Sequence, residues 1–169
     1  MPAYAHDPFA EDPHPIDLVQ ALAAGRSWPF DRVAPDRIDL AVQGAWRLYS
    51  MGLEWRAREG ALRLLLTFDL AAPRRRAAQL ELARAVNMAN DHCWGGAFVV
   101  WPEHDVVAFR AALALAVDEP PARGRLEDMI GAAVDACERF VPAFELAAQG
   151  RAGAEAALEI VISDPYGRA

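Results

Sequence analysis

The chain has 169 residues, 54% of them hydrophobic and 24% charged, with a formal net charge of −7. That length and balance suit one globular domain able to bury its own core, and no run approaches the roughly 18 apolar residues of a membrane span. The acidic balance argues against a nucleic-acid surface, which clusters Lys and Arg, whereas the one basic run here, Arg74-Arg75-Arg76, has only three members.

Residues 1–14 set Pro2, Pro8 and Pro13 among scattered acids and histidines, and read as a flexible arm with no export signal, so the expected location is the cytoplasm. From Pro15, Ile16, Val19, Leu22 and Ala23 recur at helical spacing until Gly25 stops the helix. Trp28-Pro29-Phe30 reads as a rigid loop. Ile38, Leu40 and Val42 alternate with Asp39, Ala41 and Gln43, the period of a half-buried strand. A second strand puts Tyr49, Met51, Leu53 and Trp55 on one face, and after a turn at Glu59-Gly60 a third places Leu62, Leu64, Leu66, Phe68 and Leu70 together. Short links make the three an antiparallel meander.

Pro73 opens a long helix with Ala78, Leu82, Val86, Ala89 and Cys93 on one side, closed by Gly95-Gly96. Ala97 to Trp101 and Val106 to Val117 then flank Pro102-Glu103-His104-Asp105 as a charge-poor hairpin interrupted only by Arg110. Such strands are normally covered on both faces. Of its two phases, one reads Phe98, Val100, Val106, Ala108, Ala112 and Ala114, the other Val99, Trp101, Val107, Phe109, Leu113 and Leu115. Both are too apolar to face water comfortably, so one should be covered by the terminal segments, a second copy or a partner protein.

After the breaker Glu119-Pro120-Pro121, Leu126, Ile130, Ala133, Val134, Cys137, Phe140 and Val141 trace a last helical stripe, which Pro142 is expected to kink or end. Ala143 to Val161 reads as partly helical, and 163–169 as a frayed end, leaving 15–162 as a single domain. The fold class is therefore α+β, with an antiparallel sheet of about five strands packed with helices in the order α-βββ-α-ββ-α. Leu64, Leu66, Phe68, Leu82, Val86, Ile130, Val134 and Cys137 are the expected core.

No residues stand at catalytic spacing. Histidines 6, 14, 92 and 104 pair with no ligand at i, i+4, so neither a metal nor a cofactor is expected. Cys93 and Cys137 fall on apolar helix faces and read as buried thiols. Asp135 and Glu138 read as solvent-facing acids. Asn87, Asn90, Asp91 and Trp94 at the end of the long helix form the most site-like group, although Asn and Asp there also serve as caps. Arg74 and Arg75 set positive charge in a first helical turn, against the helix dipole; a phosphate or an acidic partner would explain them, although a solvated face is the more ordinary reading. Trp101, one of five tryptophans, joins them as a candidate partner surface.

Pro15-Ile16-Asp17-Leu18-Val19, Trp28-Pro29-Phe30-Asp31-Arg32, Phe68-Asp69-Leu70, the Asn87 to Trp94 helix end before Gly95-Gly96-Ala97-Phe98, and Asp135-Ala136-Cys137-Glu138-Arg139-Phe140 with Pro142-Ala143-Phe144 give the chain, from about residue 14 to 150, a resemblance to the YbjN family. These are bacterial proteins labelled sensory transduction regulators. The resemblance implies a fold similar to the type III secretion chaperones and carries no catalytic residue to transfer. It also implies the habit of that chaperone-like fold, whose members commonly dimerise and bind extended or helical segments of other proteins. Function is accordingly expected to be a non-catalytic, cytoplasmic protein-binding or regulatory module, partnered by another protein or by itself as a homodimer. The alternative is a small-ligand sensor with an enclosed pocket near Asn87, Asn90 and Trp94.

Overall fold

A computed structural model describes residues 14–70, 73, 75–101, 106–115 and 123–163. In chain order it contains α1 (Pro15–Gly25), β1 (Phe30–Ala34), β2 (Arg37–Gln43), β3 (Leu48–Arg56), β4 (Ala61–Asp69), α2 (Arg76–Asn90), β5 (Ala97–Trp101), β6 (Val106–Ala114), α3 (Arg123–Ala148) and α4 (Ala154–Ser163). The expected N-terminal arm up to residue 13, the turn Pro102-Glu103-His104-Asp105, the breaker Glu119-Pro120-Pro121 and the end from residue 164 lie outside the described residues.

The six strands form one sheet in the order β1-β2-β3-β4-β6-β5, with every neighbouring pair antiparallel. After β4 the chain passes through α2, lays β5 at the far edge and returns as β6 between β5 and β4. The fold is the expected α+β arrangement with one strand more. The extra strand is β1, which includes Phe30 of the presumed Trp28-Pro29-Phe30 loop. It is short and largely exposed, so no apolar alternation marks it.

One face of the sheet carries the core. Ile38, Leu40, Val42, Tyr49, Met51, Leu53, Leu62, Leu64, Leu66 and Phe68 are buried beneath the helices, continuous with Leu82 and Val86 of α2 and with Ile130, Val134 and Cys137 of α3. All eight residues expected in the core lie there. The register also corrects the two phases of the last hairpin. Trp101 pairs with Val106 and Phe98 with Phe109, so even-numbered residues of β5 stand beside odd-numbered residues of β6. A connection of four residues fixes that parity. Phe98 and Val100 therefore share the helix side with Val107 and Phe109, whereas Val99 and Trp101 share the other side with Val106, Ala108 and Ala112.

The helices differ from expectation at their ends. Helix α2 begins at Arg76 rather than Pro73 and stops at Asn90, before Gly95-Gly96. Helix α3 runs through Pro142 to Ala148 without ending there. Proline removes one backbone bond, but Phe140, Val141, Ala143 and Phe144 around it are all buried, and that burial outweighs the local loss. Glu138 is buried too, correcting its reading as a solvent-facing acid. Its Oε1 accepts the Trp46 backbone N–H at 3.2 Å, which ties the β2–β3 turn to α3.

Helix α4 is held at its start by α2, where Glu81 Oε2 accepts the Ala154 backbone N–H at 2.7 Å. That bond holds the Glu81 carboxyl below the usual carboxylate range, with Arg84 adding to the effect. A depressed folded value stabilises above the unfolded one and is lost as pH falls through it. The stability difference between the protein and Glu81→Gln is therefore expected to be present at pH 7 and to shrink as the pH drops below about 4.3. Urea midpoints of both proteins at pH 7 and pH 3 check this.

Candidate functional site

The alternate residues of the strands face away from the helices. Arg37, Ser50, Arg63, Thr67, Arg110 and Ala112 are exposed, and Asp39, Ala41, Gly52, Glu54, Leu65 and Trp101 half-buried. The twist of the six strands hollows this face into an open trough of about 1240 Å³, running from Pro29–Asp31 beside β1 to Gly95–Ala97 at β5. Its floor is made low by small side chains, among them Ala41, Ser50, Gly52 and Ala112. Leu65 and Trp101 supply its apolar bulk.

Charges on the face are largely paired. Arg37 Nε lies 3.3 Å from Asp39 Oδ1, Arg56 Nη1 lies 3.3 Å from Glu54 Oε1, and Arg63 Nη2 lies 2.5 Å from Glu59 Oε2. Arg110 is different. It stands on β6 between Leu65 of β4 and Ala97 of β5, and no described group pairs with it. Interstrand register alone brings these residues together, which is why their sequence positions give no warning of the site.

The residues singled out from the sequence do not converge on one another. Asn87 is exposed on α2, as are Asp91 and Trp94 beyond it, Trp94 being 97% accessible. Asn90 has a structural task. Its Oδ1 accepts the Phe98 N–H at 2.7 Å and its Nδ2 donates to the Phe98 carbonyl at 3.1 Å, so one side-chain amide does for β5 what a neighbouring strand would do. Asn90→Ala leaves both backbone groups without partners, and a loss of about 1–3 kcal/mol is expected. Asn87→Ala, on an exposed turn, should change stability by less than about 0.5 kcal/mol. Urea unfolding of the two variants checks the contrast. Arg75 is the exposed residue preceding α2, and Arg74 lies outside the described residues. Of the six that are described, Trp101 alone lines the trough.

Among the described residues, no group of three or more His, Cys, Asp or Glu is placed to hold a metal ion. Burial pushes the Cys137 thiol far up, and it raises Cys93 as well, with Arg139 opposing. Both thiols are therefore protonated and poor nucleophiles at neutral pH. A smaller cleft of about 290 Å³ lies between Trp46, Tyr49, Cys137 and Pro142, and the Glu138 carboxylate that reaches it is the one already bonded to Trp46.

Three comparisons bear on this architecture. The model of the family described as "YbjN: Putative bacterial sensory transduction regulator" matches residues 15–146. No curated protein matches the chain. Among solved structures, a chain of the HopA1–SchA chaperone–effector complex superposes with a TM-score of 0.50 at 11% identity, over 74% of this chain and 91% of that one. At that identity the likeness is one of fold.

Proposed function

Because this chain belongs to the YbjN family, we propose that it is a non-catalytic protein-binding module with a regulatory or chaperone-like task in the cytoplasm, and that its partner seats on the open sheet face. The observation that carries the reading is the trough itself. Among the described residues, all the helices with sheet contacts pack against the core, and the other face keeps Leu65 and Trp101 half-exposed in a hollow that crosses the sheet. Monomeric proteins leave few such surfaces without a use. The fold shared with a chain of a chaperone–effector complex is compatible with this reading but does not select it. A homodimer through the same face is disfavoured by shape. Two hollows placed mouth to mouth enclose a void where an interface needs close packing.

Binding is tested by filling the trough. Ser50 and Ala112 are exposed and sit in strands, so Ser50→Trp and Ala112→Trp add bulk without disturbing the core. A partner that co-purifies with the native protein, identified by mass spectrometry and then purified, is expected to bind Ala83→Trp normally, since Ala83 is exposed on α2. It should lose affinity for both trough variants. Equal binding to all three would remove the face from consideration.

A further inference from the structure

We propose that the trough takes one amphipathic α-helix of a partner protein and that a carboxylate on the apolar side of that helix pairs with Arg110. This rests on the reading of the open face as a protein-binding surface and names the occupant's chemistry. The choice of a helix follows from backbone hydrogen bonding. An extended segment lying across the face of a sheet finds no backbone partners there, because the sheet's own N–H and C=O groups point along its plane toward neighbouring strands. It would have to add to an edge instead, and at β5 the outward groups of Phe98 are already taken by the Asn90 amide. A helix satisfies its backbone internally and presents only side chains, which is what this face offers in return.

Size agrees. An open hollow of about 1240 Å³ that crosses the sheet gives a helix of about 10 Å diameter room to lie in it. The low floor of Ala41, Ser50, Gly52 and Ala112 lets a cylinder settle, with Leu65 and Trp101 against its apolar stripe.

Charge selects the anchor. The other described arginines of this face are matched by Asp39, Glu54 and Glu59, which leaves Arg110, set between Leu65 and Ala97, as the unmatched cation among the described residues, with the unmatched acid Asp31 at the β1 end of the trough. Covering that guanidinium with purely apolar groups would strip its water without return. A carboxylate at the matching position turns the cost into a charge-assisted, bidentate contact and fixes the helix in one register. The partner helix is thus recognised by an Asp or Glu interrupting its apolar face.

The test is selection of a displayed library of helical peptides of random sequence on the full-length protein, followed by titration of the enriched peptides as synthetic molecules. Enriched peptides are expected to be amphipathic with an acidic residue on the apolar face. They should bind Arg110→Gln about tenfold more weakly or worse, fail on Arg110→Glu, and regain affinity for Arg110→Glu when their own acid is changed to Lys. Peptides blocked by Ser50→Trp yet indifferent to Arg110→Gln would overturn the acidic anchor and leave the face reading standing. Peptides indifferent to both variants, or no enrichment at all, would overturn the two together. Light scattering that shows a dimer broken by Ser50→Trp would make a second copy the occupant and overturn the partner helix.

Discussion

Phe98→Ala is expected to destabilise the protein by about 3–5 kcal/mol, the range for removing a buried aromatic ring. Phe98 is 2% exposed and stands where four rings meet. Its centroid lies 4.9 Å from Phe144, 5.0 Å from Phe109, 6.0 Å from Phe140 and 6.3 Å from Phe68, all edge-on. Those partners come from β4, β6 and α3, so one side chain on an edge strand joins the sheet to the longest helix. Edge-to-face pairs add about 0.5–1.5 kcal/mol beyond the area they bury. The cavity left by alanine cannot collapse easily, because rings on two layers bound it. Phe98→Leu keeps most of the apolar volume and should lose clearly less. Urea denaturation of both variants measures the difference, and a loss below about 1 kcal/mol for Phe98→Ala would show that the ring cluster is not closed around it.

Ile130→Ala should cost about 2–5 kcal/mol, and Ile130→Val about 0.5–1.5. Ile130 is 1% exposed on the sheet-facing side of α3, in the same stripe as Leu126, Ala133, Val134 and Cys137. The ion pair that joins the end of α1 to α3, Arg26 Nη2 to Glu127 Oε2 at 2.9 Å, is exposed and contributes little. Docking of α3 therefore depends on its buried stripe. A loss under about 0.5 kcal/mol for Ile130→Ala would mean that this face of α3 is not packed.

Strand and helix phases were legible because each follows from one local period. Tyr49, Met51 and Leu53 alternate cleanly, and so do Leu62 to Phe68, and every one of them is buried. What stayed hidden depends on residues distant in sequence. Strand β1 has no buried side chain to reveal it, and its place is set by pairing Phe30 with Leu40 and Asp31 with Asp39. Pro142 looked like a stop by its local chemistry, yet burial on both sides of it keeps α3 intact. Glu138 sits one position from the apolar stripe and looked solvated, until the turn before β3 folds over it and donates a backbone N–H.

The trough was the least legible feature. Its polar and small residues look like the ordinary solvent face of each strand when read one strand at a time. Only the register puts the unmatched Arg110 beside Leu65, and only the parity of the last hairpin puts Trp101 on that side and Phe98 on the other. The tryptophans divide the same way. Trp28 and Trp55 pack partly against the core, Trp46 is 73% exposed at a turn, and Trp101 lines the trough.

Site-specific photo-crosslinking in the native cell tests the open face most directly. A photoreactive amino acid is placed at Ser50 or Ala112 in the trough and, as the reference, at Ala83 on the exposed side of α2. A face that binds a partner protein predicts a discrete crosslinked product from Ser50 and Ala112, with a single partner segment on the attached peptide, and none from Ala83. Products from Ala83 alone, or the same products from all three positions, would contradict it.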